Sequence, residues 1–237
     1  MRQVLIVGGS SGIGLQMVKQ FSESGDSVTV LSRTWDYASE LPDVKHAVFD
    51  ATTDDVAELQ LPEQLDCLAY CPGSINLKSI RALSVETLRE DFELNVVGAV
   101  KVIQGCVKSL KAAATVAGSP SSILLFSTVA VGHGIPMHAS VAASKGAVEG
   151  LTRTLAADLS PQVRVNCIAP ALTNTPLAAN FFSSPEKAAA LGKRYPLGRT
   201  GEAVDVAGIA CFLLGQEAAW ITGQVIGVDG GMSAIKK

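Results

Sequence analysis

Between an apolar run, Val4–Val7, and a stretch with apolar residues at helical spacing (Ile13, Met17, Val18, Phe21), the chain reads Gly8-Gly9-Ser10-Ser11-Gly12-Ile13-Gly14. Backbone amides in such a turn, at the positive end of a helix, can receive a phosphate or pyrophosphate, and the glycines let it approach. Glycine clusters occur in many tight turns; the placement in a strand–turn–helix unit is what points to a dinucleotide. The next apolar run, Val28–Leu31, ends at Ser32-Arg33, where a carboxylate would serve the ribose hydroxyls of NAD(H). An arginine pairs instead with a 2′-phosphate, so the residue types favour NADP(H) over NAD(H).

These residues need a frame. Further apolar runs at His46–Phe49, Cys67–Cys71, Ile123–Phe126, Val163–Ile168 and Val225–Val228 read as strands, several of them separated by segments of helix length. Their near-continuous apolar character suits strands covered on both faces, and the alternation suits a parallel sheet. The expectation is an α/β fold: a single doubly wound, Rossmann-type domain over residues 1–237, with about seven strands and helices on both faces. Long helices are expected over Glu86–Thr115, Ala139–Leu159 and Glu202–Leu214, the last stopped at Gly215. Leu172 to Arg199, interrupted by Pro176, Pro185 and Pro196, reads as the least regular segment, a flap or a surface excursion.

Composition narrows the partners. With 237 residues, 48% hydrophobic positions and a formal charge of −3, the chain has the core of a compact domain and no basic surface for nucleic acid. No run of eighteen apolar residues suggests a membrane span, and the short N-terminal run is no signal peptide, so a cytoplasmic location is expected. Five scattered cysteines (Cys67, Cys71, Cys106, Cys167, Cys211) lack the spacing of a zinc site or a disulfide framework, and no metal site is expected.

Taken in order, the motifs resemble those of the short-chain dehydrogenase/reductase family, specifically its FabG-like branch. They are Gly8, Gly12 and Gly14; Asp50; Asn95; Ser144-Lys145-Gly146-Ala147; Asn166-Cys167-Ile168-Ala169-Pro170; Thr175-Pro176; Ile221-Thr222-Gly223-Gln224; and Val228-Asp229-Gly230-Gly231. The resemblance implies hydride transfer between a nicotinamide and a small carbonyl or alcohol substrate in a homotetramer or homodimer. It also implies cofactor contacts from Gly8, Ser10, Ser11, Gly12, Ile13, Gly14, Ser32, Arg33 and Pro170. Asp50 would hold the adenine, Gly73 would pass the adenosine side, Thr175 would contact the carboxamide, and Lys145 would reach the nicotinamide ribose.

The family's tetrad of Asn, Ser, Tyr and Lys is matched in part. Asn95 and Lys145 agree. Thirteen residues after Thr128, and four before Lys145, stands Val141, so by resemblance a threonine replaces the serine and a valine the tyrosine. Tyr70-Cys71-Pro72-Gly73 and Ala171 depart more mildly. A valine can neither donate a proton nor stabilise a developing oxyanion. Substitutes are a water held by Thr128 or Lys145, or a side chain among His133, His138 and Ser140, of which His138, three residues before Val141, is preferred. The alternative is a homologue that binds NADP(H) without catalysis, as a sensor or partner subunit.

Overall fold

The computed structural model describes residues 1–235. Seven strands build the main sheet: β1 (Gln3–Val7), β2 (Ser27–Ser32), β3 (Lys45–Val48), β4 (Cys67–Tyr70), β5 (Ser121–Phe126), β6 (Val163–Pro170) and, after the two-residue strands β7 (Thr173–Asn174) and β8 (Gly201–Glu202), β9 (Val225–Val228). The helices are α1 (Gly12–Glu23), α2 (Val85–Phe92), α3 (Gly98–Ala117), α4 (Ala139–Leu159), α5 (Pro185–Gly192) and α6 (Ala203–Leu214). Strand order is β3-β2-β1-β4-β5-β6-β9, every pairing is parallel, and β7 pairs with β8.

Chain order reverses between β1 and β4, where Val7 pairs with Leu31 on one side and with Tyr70 on the other. Connections leave these two strands toward opposite faces and open a crevice beyond their carboxyl ends, the usual ligand position in such sheets. Two apolar layers hold the sheet. One, with Leu5, Leu68, Ile123, Val165, Val102 and Leu110, lies under α3 and α4; the other, with Ile6, Val30, Leu124, Met17, Phe21 and Val206, lies under α1 and α6.

Three expectations are corrected. The helix expected over Glu86–Thr115 is broken: α2 and α3 are joined by a π-helical turn, Glu93–Val97. The extra residue in that turn rotates the helix, and such bulges often mark functional positions. Continuous burial holds for β1, β2, β4, β5 and β6 but fails at the edges, where β3 exposes Val48 and β9 is only half-buried. The segment from Leu172 to Arg199 is more ordered than its prolines suggest: Pro176 opens a 3-10 helix, Pro176–Phe182, and Pro185 opens α5. Proline at the first helical position loses no hydrogen bond, so it starts helices there rather than breaking them.

Among the described residues no helix is long and apolar enough to cross a membrane, and no three His, Cys, Asp or Glu side chains converge on a metal-sized space. All five cysteines are free thiols.

Candidate active site

A cleft of about 1160 Å³ runs along the carboxyl edge of the sheet, from Arg33 and Asp50 past the glycine loop to Thr128, Val141 and Lys145. Its first half is made of backbone. Gly8 and Gly12 have φ of +78° and +54°, the left-handed region that favours glycine. A β-carbon on Gly14 would lie 2.3 Å from the Gly8 carbonyl oxygen, so helix α1 approaches the loop as closely as it does only because that residue has no side chain. Ser11 is the N-cap residue of α1 but makes no side-chain cap, and the first turn holds no acidic residue. The amides of that turn are therefore left for a ligand, at the end of the helix that attracts negative charge.

At the outer end, Ser32 is buried, and its hydroxyl donates to the Thr34 carbonyl at 2.8 Å and lies 3.1 Å from His46 Nε2. Arg33 is exposed beside the cleft and makes no hydrogen bond or ion pair among the described residues. Asp50 Oδ1 accepts from the hydroxyl and amide of Thr52, at 2.6 and 2.9 Å. Those bonds, with Arg33 adding its positive charge, hold the Asp50 carboxyl below the usual carboxylate range.

The inner end is made of side chains from distant segments. Asn95, on the π-helical turn, is buried and donates from Nδ2 to the Asp91 carbonyl at 2.7 Å, with longer contacts to Ser74 Oγ (3.3 Å) and Ser144 Oγ (3.4 Å). A carbonyl can only accept, so this contact fixes which end of the carboxamide is nitrogen. The other end, Oδ1, is buried without a hydrogen-bond partner. Lys145, on α4, is buried, and Nζ makes no hydrogen bond among the described residues. Both atoms face one point: a β-carbon on Gly73 would lie 3.3 Å from Lys145 Nζ and 3.5 Å from Asn95 Oδ1. Gly73, expected along the adenosine side, thus also lies between these two polar ends.

Burial pushes the Lys145 ammonium down to about 8, opposed by Cys167, Cys71 and Asp91. Burial also holds both of those thiols at about 12, so near pH 8 they are uncharged and Asp91 is the anion facing the ammonium. Val141 sits one helical turn before Lys145, buried in the cleft wall. Thr128 caps the 3-10 turn Val129–Val131 by accepting from Ala130 N at 3.3 Å, which leaves its hydroxyl proton for a ligand oxygen.

His138 lines the cleft with Nδ1 2.8 Å from the Pro136 carbonyl. That contact places a proton on Nδ1, so the neutral ring offers Nε2 as an acceptor and gives a proton only as imidazolium. His133 lies outside the cleft, and the Ser140 hydroxyl donates to Asp91. Pro170 ends β6 in the cleft wall, and Thr175 packs on the glycine loop, where a β-carbon on Gly12 would come within 3.2 Å of it. Ser10 and Ile13 line the cleft beside the loop glycines. Pro72 covers Gly8 from the opposite wall.

Sequence reading missed Asp91 and Ser74. The one signal for Asp91 was its place four residues before Asn95, hence on the same helical face.

A nicotinamide dinucleotide fits these residues on three observations. The helix end is uncapped, the buried Oδ1 lacks a donor, and Gly73 leaves a hollow that a β-carbon would fill.

The comparisons agree with the geometry. A family profile described as enoyl-(acyl carrier protein) reductase matches residues 7–233. L-xylulose reductase of Bos taurus is 30% identical over 240 residues, covering 98% of this chain and 97% of its own. A tropinone reductase homologue of Arabidopsis thaliana is 32% identical, covering 97% and 92%. The structure of a short-chain type dehydrogenase/reductase from Mycobacterium ulcerans superposes with a TM-score of 0.86 at 29% identity, over 98% of this chain and 90% of that one. Matched nearly end to end by such relatives, on a seven-stranded parallel sheet with the cleft where chain order reverses, the chain belongs to the short-chain dehydrogenase/reductase family of oxidoreductases.

Proposed function

We propose that the chain is an NADP(H)-dependent oxidoreductase acting on a small or medium-sized carbonyl or the corresponding alcohol, without the phenol its relatives' motif places four residues before the lysine. The observation that carries this reading is the convergence of Asn95 Oδ1 and Lys145 Nζ over Gly73, at the far end of a cleft that begins at uncapped helix amides. The cofactor supplies or accepts the hydride. Gly8, Ser10, Ser11, Gly12, Ile13 and Gly14 cradle its phosphates, Arg33 pairs with the 2′-phosphate, Asp50 takes the adenine, and Pro170 and Thr175 border the nicotinamide.

Thr128 donates its hydroxyl proton to the substrate oxygen and orients it. Lys145 binds ribose hydroxyls and, as an ammonium, stabilises charge that develops on that oxygen. The isopropyl group of Val141 is smaller than a phenol, and a water between Lys145 and Thr128 has partners enough to be held there and to relay the proton. Protonated His138 is the second source. Loss of a general acid costs about 10²–10⁴-fold, while orientation of two bound reactants supplies about 7–11 kcal/mol, so slow turnover survives. Assembly as a homotetramer or homodimer in the cytoplasm belongs to the same reading, and fully exposed Trp220 with part-exposed Phe212 supports a protein interface.

The test is NADPH consumption by the unaltered protein and by Val141→Tyr across a panel of carbonyls. Slow turnover that rises in the variant supports the reading; NADPH binding with no turnover in either protein overturns it.

A further inference from the structure

Asp91 is almost fully buried, yet its carboxylate accepts three hydrogen bonds from two segments. Ser74 Oγ (2.5 Å) and Asn76 Nδ2 (2.7 Å), both from the segment after β4, donate to Oδ1, and Ser140 Oγ (2.5 Å), from the second residue of α4, donates to Oδ2. A buried carboxylate is costly unless satisfied in this way, and hydrophobic packing between α2 and α4 would need none of it. The network leads to the active site by two routes. Ser74 Oγ also takes the contact from Asn95 Nδ2, and the Asp91 carbonyl takes the shorter one. Ser140 immediately precedes Val141 and stands five residues before Lys145 on the same helix.

We infer that Asp91 is a positioning residue of the active site: through Ser74 its carboxylate holds the Asn95 carboxamide so that Oδ1 faces Lys145 Nζ, and it sets a buried negative charge behind that pair. The inference rests on the oxidoreductase reading for its kinetic consequence, but its electrostatic consequence belongs to the folded chain alone. The titratable groups that face Lys145 are Cys71 at the end of β4, Cys167 on β6 and Asp91 on α2; the two thiols are neutral over the working range.

Asp91→Asn separates charge from geometry. An asparagine oxygen still accepts from Ser74 and Asn76, and its amide nitrogen donates to a Ser140 hydroxyl that rotates to accept, so the network closes without the charge. Asp91→Ala removes the charge and all three side-chain hydrogen bonds, and leaves Asn95 only the main-chain carbonyl of that position. Lysine side-chain nitrogen-15 resonances, with Lys145 assigned by its loss in Lys145→Met, follow the titration without any turnover. The expected result is a Lys145 midpoint at lower pH in Asp91→Asn than in the unaltered protein, with the alkaline limb of kcat moving the same way. Asp91→Ala is expected to lose about 10²-fold in kcat, the scale of a misplaced reacting group, with a smaller change in KM.

If Asp91→Ala or Asp91→Asn does not fold, Ser74→Ala, which removes the link to Asn95 and one of the two hydrogen bonds to Asp91 Oδ1 but leaves the carboxylate in place, is expected to lower kcat while the Lys145 midpoint stays close to that of the unaltered protein. An unmoved Lys145 midpoint in folded Asp91→Asn, or full kcat in Ser74→Ala, overturns the inference. Absence of turnover in the unaltered protein with a shifted midpoint in Asp91→Asn counts against the oxidoreductase reading and leaves the electrostatic part standing.

Discussion

The two ends of the cleft are built from different materials. At the end proposed for the phosphates, the groups on offer are main-chain amides and glycine hydrogens within the seven residues Gly8 to Gly14. At the reaction end they are side chains from four segments, the residues after β4, the turn between α2 and α3, the end of β5 and the first turns of α4, and no two neighbours in the sequence do the work. Main-chain recognition tolerates exchange of side chains as long as the glycines stay. The other end depends on a network of buried polar side chains, so a single exchange there is expected to alter the chemistry without disturbing the fold.

The sharpest way to exploit that contrast is Val141→Tyr, which restores a phenol one helical turn before Lys145. Turnover of NADPH with a reactive carbonyl is expected to rise by about 10²–10⁴-fold, the usual contribution of a positioned general acid, with the dissociation constant for NADPH changing little. Steady-state kinetics beside a binding titration separates the two quantities.

At the other end, Arg33→Ala removes a guanidinium that makes no hydrogen bond or ion pair among the described residues. A charge-assisted hydrogen bond contributes about 1.5–3 kcal/mol, so NADPH affinity should fall by roughly ten- to a hundredfold while NADH affinity stays constant. Equal loss for both coenzymes would show that Arg33 does not read the 2′-phosphate.

Gly14→Ala tests the backbone half directly. Its β-carbon would meet the Gly8 carbonyl 2.3 Å away, so strand β1 and helix α1 must part. Overpacking of this kind costs about 1–3 kcal/mol, visible as a lower denaturation midpoint and as weaker NADPH binding in the same variant.

The smallest effect is one of pH. The Lys145 ammonium, pushed by burial from its ordinary value near 10.5 down to about 8, is present below that pH and lost above it. In the proposed reaction the ammonium form binds the ribose and stabilises the oxyanion, so kcat/KM is expected to halve near pH 8 and to keep falling as pH rises, a limb that Lys145→Arg should remove.

Legibility in the sequence follows the same division. The glycine loop, the strand pattern and the approximate bounds of α1, α4 and α6 were readable because each rests on local spacing. Asn95, Thr128 and Lys145 were proposed through a family resemblance; Thr128, Lys145 and Val141 line the cleft, and Asn95 lies buried behind it, across Gly73 from Lys145. The break between α2 and α3 was not readable, because Glu93–Val97 keeps helical composition while its hydrogen bonding changes. Nor was Asp91, whose partners Ser74, Asn76 and Ser140 lie 15 to 49 positions away along the chain. Burial of a charge is a tertiary fact. His138 looked equivalent to a cleft acid by spacing alone, and only the contact of Nδ1 with the Pro136 carbonyl shows that its neutral ring presents an acceptor.

The most direct measurement is a calorimetric titration of the protein with NADPH and, separately, NADH. Saturable one-site binding of NADPH, at least tenfold tighter than NADH, is the expected result, since every residue role proposed along the cleft follows from a phosphorylated dinucleotide lying in it. No heat and no displacement with either coenzyme would contradict the cofactor assignment at its root.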